Sequence, residues 1–365
     1  MNTGHPPAKY KKKDWYIEQK VLKFANKKSS KLRNSPVKRI ALMVAGQSRS
    51  PEMCWASQCN AFDFEGYEID YFVHSWTVQD LYSLPSGKED QNTPEGGGKF
   101  CKRINHLQNH KKELESKLID VYNPVGMKVE GYKNENIVNA LSRIYEASKD
   151  SDCNHPQINV FKHIGDEFLN SHEKMGDLLR HTCFGQIYSI EQACKLKHDF
   201  EEKHGFKYDI AVRMRQDLFF PPVRLQSHRL KDLESGVVMC DWFVEHDIDT
   251  KIGGFMGDII FASNSETMDS LCLGITEHLT NSYIGIAEGT SEAKTFIHPT
   301  DGAVCIENNW PENILYNKAR KENITGKDFH FLFLLYRDYM KKLPQDFDEL
   351  TKIKEHFEKY GHLFT

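Results

Sequence analysis

The sequence predicts an α/β fold in which helices flank a mainly parallel, Rossmann-type sheet, followed by a helical C-terminal part. Two continuous apolar runs, RIALMVAG (39–46) and IDYFVHSW (69–76), have the composition of strands that are buried on both faces. A segment with helix-start signals lies between them, near Pro51. Strands that alternate with helices along the chain are typical of a doubly wound parallel sheet.

The turn after the first strand, residues 46–49, leads directly into the predicted helix. Ser50 suits the N-cap, Pro51 the first helical position, and Glu52 the positive end of the helix dipole. In open α/β sheets, ligands bind beyond the carboxyl ends of the strands, at the point where the strand order reverses. The residues at the ends of the first two strands are Gln47, Ser48, Arg49, His74, Ser75 and Trp76.

The remaining elements follow from apolar periodicity and from capping residues. Gly, Pro and charged residues make 83–105 a long loop insertion. Ser189 and Gln192 form a capping box that predicts the start of a helix, and Gly205 ends that helix. We further expect helices over 106–122, 136–149, 265–279 and most of 311–362, including 329–336, and strands over 125–129, 208–220, 236–243 and 257–263.

Charge divides the chain into an N-terminal arm and an acidic body. The net charge is −4, but twelve Lys or Arg against two acidic residues give 1–39 a charge of +10 and leave −14 for the rest. We expect residues 1–37 to be a basic arm, 38–310 the main domain, and 311–365 a helical extension that packs on it. The arm lacks the interleaved aromatic residues of nucleic-acid modules, so nucleic acid is not an expected partner.

Several classes of protein are excluded by what the sequence lacks. No apolar run approaches the ~20 residues that cross a bilayer, and the lysine-rich start lacks the apolar region of a secretory signal. The nine cysteines include no C-x-x-C pair, which favours reduced thiols and a cytoplasmic protein. A P-loop, a G-x-G-x-x-G fingerprint and a G-x-S-x-G elbow are also missing, which argues against P-loop kinases, dinucleotide oxidoreductases and α/β-hydrolases.

The stretch RMRQDLFF (213–220) lines up three charges on a predicted strand. Because side chains alternate along a strand, the charged ones would share one face and the apolar ones the other. One interpretation is a structural Arg–Asp network. The other is a phosphate site, since arginine binds phosphate through two hydrogen bonds and a carboxylate holds a sugar hydroxyl or a divalent metal. The charged residues are Arg213, Arg215 and Asp217, and the apolar ones are Ile210, Val212, Met214 and Leu218.

Five segments resemble, in this order, the motifs of one protein family. They are RIALMVAGQSRS, IDYFVHSWT, LIDVYNP, GQIYSIEQACKLKHDFEEKHGFKYDIAVRMRQDLFF and GDIIFASNSETMD. Over roughly residues 38–320, the chain is similar to glycosyltransferase-like proteins of large DNA viruses, phages and some bacteria, which look like GT-A nucleotide-diphospho-sugar transferases. The resemblance implies sugar transfer from a nucleoside-diphosphate donor to a glycan, protein or lipid-linked acceptor, in the host cytoplasm if the chain is viral.

The resemblance also implies where the donor would bind. The matching positions lie at the ends of the first two strands and at the start of a later helix. They are Gly46, Gln47 and Arg49 at the nucleotide, His74 and Trp76 in the donor pocket, and Gln186, Tyr188 and Ser189 at the beginning of the helix beside the nucleotide.

The chemistry that the resemblance implies depends on carboxylates. Arg213, Arg215 and Asp217 stand where GT-A enzymes usually carry a D-x-D motif that holds Mn²⁺ or Mg²⁺. Asp217 is therefore the candidate metal ligand, although the two guanidinium groups could replace part of the cation in neutralising the diphosphate. Asp258 is the favoured general base for the acceptor hydroxyl, and Asp301 is the alternative.

Three alternatives remain open at the level of sequence. A literal D-x-D occurs at 247–249 and is the rival metal site, although it precedes a strand instead of ending one. A Rossmann-like methyltransferase would need a glycine-rich loop after the first strand and an acidic residue after the second, and AGQSRS and HSW supply neither well. A degenerate GT-A-like protein would use the basic arm to contact a virion or host partner.

Overall fold

A seven-stranded sheet carries helices on both of its faces in the computed structural model, which describes residues 38–47, 51–64, 66–77, 111–162, 179, 183–220, 230, 233–246, 253–291, 295–297, 304–306, 310–329 and 334–335. The strands are β1 (Lys38–Gln47), β2 (Tyr67–Trp76), β3 (Gly126–Glu130), β4 (Ile210–Met214), β5 (Leu218–Phe219), β6 (Val237–Cys240), β7 (Phe243–Val244), β8 (Phe255–Met256), β9 (Ile260–Ser263), β10 (Thr295–Ile297), β11 (Val304–Ile306), β12 (Thr325–Asp328) and β13 (Leu334–Leu335). The helices are α1 (Pro51–Ala61), α2 (Lys111–Tyr122), α3 (Glu135–Ser148), α4 (Pro156–Lys162), α5 (Phe184–His204), α6 (Ser265–Cys272), α7 (Ile275–Ala287) and α8 (Pro311–Lys321).

The strand order of the main sheet is β12-β6-β9-β4-β1-β2-β3. Four neighbouring pairs are parallel, and β9 alone among these seven strands runs antiparallel to its neighbours β4 and β6. The predicted α/β class with a mainly parallel sheet is confirmed, and the arrangement is compatible with a Rossmann-like fold. The order also reverses at β1, because β2 and β3 lie on one side of it and β4 on the other.

Strand β1 is the centre of the hydrophobic core, as its uninterrupted apolar sequence predicts. All six residues from 40 to 45 are at most 1% exposed. Because side chains alternate, residues 41, 43 and 45 pack in a cluster with α3 to α8, whereas 40, 42 and 44 pack with α1 and α2. Both faces of the strand are therefore covered by helices, which is why residues 40 to 45 are all apolar.

Helix α5 starts five residues before the predicted Ser189, so the capping-box prediction is wrong. Cys183 stands at the N-cap, and Ser189 and Gln192 lie buried within the helix. Their side chains bind other elements instead of the helix backbone: Ser189 Oγ contacts His74, and Gln192 Oε1 accepts from Lys128. The predicted end is confirmed, since Gly205 takes the left-handed conformation (φ 67°) at the C-cap.

The predicted single strand over 208–220 is two strands in different sheets. The chain turns at 215–217, so β4 ends in the main sheet and β5 pairs with β13 instead. The predicted apolar face is nevertheless confirmed, because its four residues belong to one cluster with α1 and α2. The three charges do not share a strand face, since two of them lie in the turn.

Other boundaries differ because turns interrupt the apolar periodicity. Gly274 (φ 71°) divides the predicted helix 265–279 into α6 and α7, and the predicted strand 236–243 is divided into β6 and β7. After α8 the chain forms β12, which completes the main sheet, and then β13, so the expectation of a helix over 329–336 is wrong at Leu334–Leu335. The elements predicted at 69–76, 106–122, 125–129 and 136–149 are present as β2, α2, β3 and α3.

Within the described ranges, no helix combines the length and the apolar character needed to cross a membrane. The basic arm 1–37 and the loop insertion 83–105 lie outside the described residues. The predictions for Arg49, for 247–249 and for Asp301 also fall outside them.

Candidate functional site

The candidate site lies along one edge of the sheet, where β1, β2, β3 and β4 all end, and we call this the C-terminal edge. Because β9 is antiparallel, it begins at the same edge, and β6 ends there as well. The turn before β9 and the residue after β6 therefore meet the ends of the parallel strands. The crevice between β1 and β4, where the strand order reverses, is the position at which ligands bind in open α/β sheets.

The 215–217 turn is fixed against the end of β1 by buried amides. Gln216 Nε2 donates to the carbonyl oxygen of Gly46 at 3.2 Å. Gln58 on α1, which is fully buried, donates from Nε2 to the carbonyl oxygens of Gln216 (3.2 Å) and Leu218 (3.0 Å). These bonds set the distance between the ends of β1 and β4, so they define the floor of the crevice.

Arg215 and Asp217 form a two-point ion pair within that turn. Arg215 Nε lies 2.9 Å from Asp217 Oδ1, and its terminal nitrogen lies 2.8 Å from Oδ2. The Arg215 side chain is 21% exposed, whereas that of Asp217 is 2% exposed. Both carboxylate oxygens of Asp217 are thus engaged by a guanidinium group, and a metal ion at Asp217 would have to compete with that positive charge.

Arg213 is buried beneath the edge. Its side chain is 1% exposed, and one terminal nitrogen donates to the carbonyl oxygen of Ile259 at 3.3 Å. Burial lowers the pKa of Arg213 to about 10, while the negative charge of Asp258 acts in the opposite direction. The guanidinium therefore supports the turn before β9 from below, and in this conformation it does not reach the surface of the crevice.

His74, near the end of β2, is the centre of a buried hydrogen-bond chain. Its Nε2 lies 3.0 Å from Glu130 Oε1, and its Nδ1 lies 2.6 Å from Ser189 Oγ. Burial lowers the pKa of His74, which favours the neutral ring. Because a carboxylate can only accept, Nε2 carries the proton and donates to Glu130, and Nδ1 accepts the Ser189 hydroxyl. The chain continues from Glu130 to Lys128 at 3.0 Å and joins the ends of β2 and β3 to α5.

Aromatic rings pack over this chain. Trp76 stacks on Tyr188 with ring centroids 5.5 Å apart, and it contacts Tyr132 at 5.0 Å and the edge of His74 at 4.9 Å. Gln47 at the end of β1 donates to the Tyr132 hydroxyl at 3.0 Å. Trp76 is only 2% exposed. His74 and Trp76 therefore form a rigid layer beneath the edge, and Gln47 links that layer to the crevice.

Three acidic residues meet on the other side of β4, and we call Asp241, Asp258 and Glu312 the carboxyl cluster. Asp258 stands in the turn before β9, Asp241 directly follows β6, and Glu312 is the second residue of α8. Gln186 Nε2 in the first turn of α5 donates to Asp258 Oδ2. The charge of Asp258 acts on both Asp241 and Glu312.

The electrostatics of the carboxyl cluster favour bound protons. Burial, together with the neighbouring charge of Asp258, raises the pKa of Asp241 to about 7. Burial and Asp258 likewise raise the pKa of Glu312 to about 8. Like charges that are close together and partly desolvated cannot all ionise without a large cost. The cluster therefore exchanges protons near neutral pH, which is the property of a site for acid–base chemistry.

Two carboxyl oxygens of this cluster, Asp241 Oδ1 and Glu312 Oε2, are buried without a hydrogen-bond partner among the described residues. The same is true of Arg213 Nε beside the cluster. The residue before Asp258 is Gly257, and a Cβ there would lie 1.8 Å from Asp241 Oδ1. Only glycine allows the Asp241 carboxyl to approach the turn so closely. Buried polar groups without partners are uncommon in folded proteins and mark this cluster for a functional explanation.

A second set of ionisable residues lies elsewhere, between the C-terminal half of α5 and α6. His198, Glu201 and Asp269 are the set of three metal-ligand side chains whose ligand atoms lie within 4.8 Å of one another among the described residues. However, Lys197 Nζ lies 2.9 Å from Glu201 Oε2 and 2.8 Å from Asp269 Oδ1. An ammonium group thus already neutralises these carboxylates, and a metal ion would have to displace it.

The structure brings together most of the residues predicted from sequence. Gly46, Gln47, His74, Trp76, Gln186, Arg213, Arg215, Asp217 and Asp258 all lie along the C-terminal edge or directly beneath it. The sequence reasoning missed Asp241 and Glu312. Asp241 could have been predicted as a site residue, because it lies at the end of a buried strand, as Gln47 does. Glu312 offers only the signal of an acidic residue in the first turn of a helix, which is common for electrostatic reasons alone.

Comparison with known proteins does not assign the chain to a family. The sequence matches no protein-family model, and no curated protein is significantly similar to it. The features that indicate a function are the strand ends of β1 and β4, the 215–217 turn and the carboxyl cluster.

Proposed function

We propose that the chain is a glycosyltransferase of GT-A type that transfers a sugar from a nucleoside-diphosphate donor to an acceptor hydroxyl. The main support is the position of the 215–217 turn, whose Gln216 binds Gly46 across the point at which the strand order reverses. At that one position the chain offers a glycine, a partly exposed arginine and, across β4, a carboxyl cluster. These are groups suited to a nucleotide, a diphosphate and a proton transfer.

The nucleotide would approach the backbone at the end of β1. Gly46 has φ 120°, a conformation that L side chains rarely adopt, and no described atom lies within 4 Å of the position where its Cβ would be. Backbone groups are therefore accessible there to a flat ring or a phosphate. Arg215, whose side chain is 21% exposed, would bind the diphosphate, and Arg49 would add a second positive charge.

In the proposed step, the acceptor oxygen forms a bond to the anomeric carbon of the donor, and the bond from that carbon to the diphosphate oxygen breaks. The acceptor hydroxyl proton passes to the Asp258 carboxylate, and the electron pair of the broken bond leaves on the diphosphate. Arg215 stabilises this added negative charge. Gln186, which donates to Asp258 Oδ2, holds the base in position.

Mn²⁺ or Mg²⁺ at Asp217 was the expectation from sequence, but the arrangement of this residue fits a metal poorly. Both of its oxygens accept from Arg215 and its side chain is only 2% exposed, so an ion would have to compete with the guanidinium in a buried position. In the proposed step the arginines neutralise the diphosphate. Measurement of donor binding with and without Mn²⁺ decides whether an ion displaces Arg215.

The test is a thermal-shift screen of the full chain against UDP, GDP, CDP and ADP, with and without Mn²⁺. We expect one diphosphate to stabilise the protein by ~2.7 kcal/mol at 100 times its dissociation constant. The corresponding nucleotide sugar should then be hydrolysed slowly without an acceptor. If none of the four diphosphates binds, or if none of the matching sugars is turned over, the proposed function is wrong.

The site is located by a matched pair of variants. Arg215→Met should weaken diphosphate binding by ~1.5–3 kcal/mol, roughly 10- to 100-fold, because a charge-assisted contact is lost. The control is Arg143→Met, which removes a similar two-point ion pair, with Glu277 at 2.8 and 3.0 Å, between α3 and α7. Calorimetry that finds equal affinity for both variants would place the diphosphate elsewhere.

A further inference from the structure

Three oxygen atoms near the end of β1 are buried and have no hydrogen-bond partner among the described residues. They are Ser75 Oγ, Gln58 Oε1 and Gln216 Oε1, and the three residues that carry them are at most 1% exposed. Buried polar atoms without a partner are uncommon in folded proteins, so three of them around one strand end need an explanation. We call these atoms the crevice oxygens.

The residues that carry the crevice oxygens surround Gly46. Ser75 is paired with Gly46 in the parallel register of β1 and β2. The residues two positions earlier in these strands pack in the cluster with α1, so the Ser75 side chain lies on that face of the sheet. On the other side of β1, Gln216 binds the carbonyl oxygen of Gly46, and Gln58 binds that of Gln216. The crevice oxygens therefore come from both sides of Gly46, which is itself partly exposed.

The hydrogen bonds of the two glutamines fix the orientation of their amides. Gln58 Nε2 lies 3.2 and 3.0 Å from the carbonyl oxygens of Gln216 and Leu218, and Gln216 Nε2 lies 3.2 Å from that of Gly46. A carbonyl oxygen only accepts, so the nitrogen end of each amide must face the backbone. A reversed amide would place two oxygens against each other. Both amide oxygens are therefore acceptors that an added N–H or O–H group would satisfy.

We propose that the crevice oxygens recognise guanine, so that the donor in the proposed glycosyl transfer is a GDP-sugar. The inference rests on the proposed function for the sugar and extends it to the base. A phosphate presents only oxygen acceptors to the two amide oxygens, and it would be repelled by them. A base presents N–H groups, which are the partners that the amide oxygens lack.

Guanine is the base whose pattern of donors and acceptors fits the set. It carries N–H groups at the neighbouring positions N1 and N2, and an acceptor at O6 beside them. The two nitrogen atoms can donate to the two amide oxygens, and O6 can accept from the Ser75 hydroxyl. Uracil places its one N–H between two carbonyl oxygens, and adenine and cytosine each have one amino group. None of these three bases can donate to both amide oxygens from separate nitrogen atoms.

The arrangement favours a base over the ribose as the partner. The two hydroxyls of a ribose are adjacent, whereas the crevice oxygens come from both sides of β1. At Gly46 no described atom lies within 4 Å of the position of a Cβ, so a flat ring can lie across the strand end there. The crevice oxygens are covered, so the base would reach them by a local movement of the surrounding chain. That movement is favoured because it satisfies buried acceptors.

Calorimetry with GDP, IDP and UDP tests the base and needs no transferase activity. IDP differs from GDP only in lacking the amino group at N2. GDP should bind the full chain about 3- to 10-fold more tightly than IDP, which is the effect of one hydrogen bond. UDP should bind more weakly than IDP, because its carbonyl oxygens would face the amide oxygens. Equal affinity for GDP and IDP would overturn the inference, as would tighter binding of UDP, ADP or CDP.

Ser75→Ala separates the site from the fold. Because Ser75 Oγ has no partner in the described part of the chain, its removal breaks no hydrogen bond there, and the melting temperature should not fall. The affinity for GDP should nevertheless fall about 3- to 10-fold, since the contact with O6 is lost.

The matched control is Ser148→Ala. Ser148 Oγ is likewise buried without a partner among the described residues, but it lies in the last residue of α3. It is thirteen residues from the start of that helix, about 20 Å along its axis. This variant should keep the GDP affinity of the wild type. A Ser75→Ala protein that binds GDP as tightly as Ser148→Ala would overturn the assignment of Ser75 to the base site.

The outcomes separate the inference from the proposed function. If GDP binds with the expected preference but no GDP-sugar is hydrolysed, the transferase proposal fails and the guanine site stands. If another diphosphate binds more tightly and its sugar is hydrolysed, the guanine site fails and the transferase proposal stands. Equal binding of all four diphosphates would mean that the crevice oxygens do not distinguish the bases, which overturns the inference alone. Binding of none of the four overturns both.

Discussion

Lys197 lies at the centre of a buried ion-pair network that ties α5 to α6. Its side chain and that of Glu201 are both 0% exposed, and Asp269 is 13% exposed. Its Nζ lies 2.9 Å from Glu201 Oε2 and 2.8 Å from Asp269 Oδ1, and it also contacts the Ser265 hydroxyl. Lys197→Met keeps the apolar stem and removes the charge. The two carboxylates would then keep Lys207, at 3.3 Å from Glu201 and 3.6 Å from Asp269, and the His198 ring at 2.9 Å from Asp269, but they would lose the buried ammonium group.

The expected loss of stability is ~3–5 kcal/mol, the cost of removing one partner from a buried ion pair. Lys207→Met is the matched control, because Lys207 contacts the same two carboxylates from a side chain that is 41% exposed. Solvent screening limits its contribution to ~0–1 kcal/mol. Urea unfolding at pH 7 measures both variants against the wild type. The difference between the two lysines is the quantity predicted, since both substitutions remove one charge and one hydrogen-bond donor.

The pH dependence gives an independent check. Burial alone would raise the pKa of Asp269, but the charge and hydrogen bond of Lys197 lower it below its usual value. A carboxyl group with a lowered pKa contributes stability that is present above its unfolded pKa of ~3.9 and is lost as the pH falls through the folded value. The gap between wild type and Lys197→Met should therefore shrink below about pH 4. Equal losses for both lysine variants, or a gap that does not change in acid, would refute this account of the network.

Two further predictions concern the C-terminal edge. Asp217→Asn should cost about 1–2 kcal/mol in urea unfolding, less than a fully buried pair, because its partner Arg215 is 21% exposed; a neutral result would mean that the pair does not fix the turn. Gly257→Ala should cost ~1–3 kcal/mol by overpacking, because the new Cβ would lie 1.8 Å from Asp241 Oδ1. Gly131→Ala, where the nearest atom would be 3.7 Å away, is its control, and equal melting temperatures for the two alanine variants would contradict the close approach.

The sequence predicts the sheet better than the helix starts, for a physical reason. Burial on both faces requires an unbroken apolar run in the middle of β1, at residues 40 to 45, so the sequence pattern is enough to predict a buried strand there. Ser189 looks like a cap because its residue type hydrogen-bonds well, and it does so, but to His74 in another element. Tertiary partners of this kind cannot be seen in a local window. The turn at 215–217 was missed for the same reason, since it is fixed by Gln58 and Gly46, more than 150 residues away.

The site shows the same division between local and distant information. Strand ends mark Gln47 and Trp76, because the carboxyl ends of parallel strands share one edge. Asp241 reaches that edge by the same rule, because it follows β6, whereas Asp258 reaches it only because β9 is antiparallel and begins there. Glu312 arrives from α8, more than 50 residues beyond Asp258 in the sequence. The proximity of Glu312 to Asp258 therefore depends on topology and could not be derived from spacing.

Helix α5 contacts the candidate site at its N-terminal end and the buried ion-pair network at its C-terminal half. Gln186 in its first turn binds Asp258, Ser189 binds His74, and Lys197 forms the buried network with α6. Lys197 is eleven residues from Gln186, about 16 Å along a helix with a rise of 1.5 Å per residue. Lys197→Met should therefore reduce the free energy of unfolding. In the molecules that remain folded, Gln186 should keep its hydrogen bond to Asp258. If the variant is assayed well below its melting temperature, its hydrolysis of the donor should follow the wild type, and a loss of activity in the folded variant would contradict this separation.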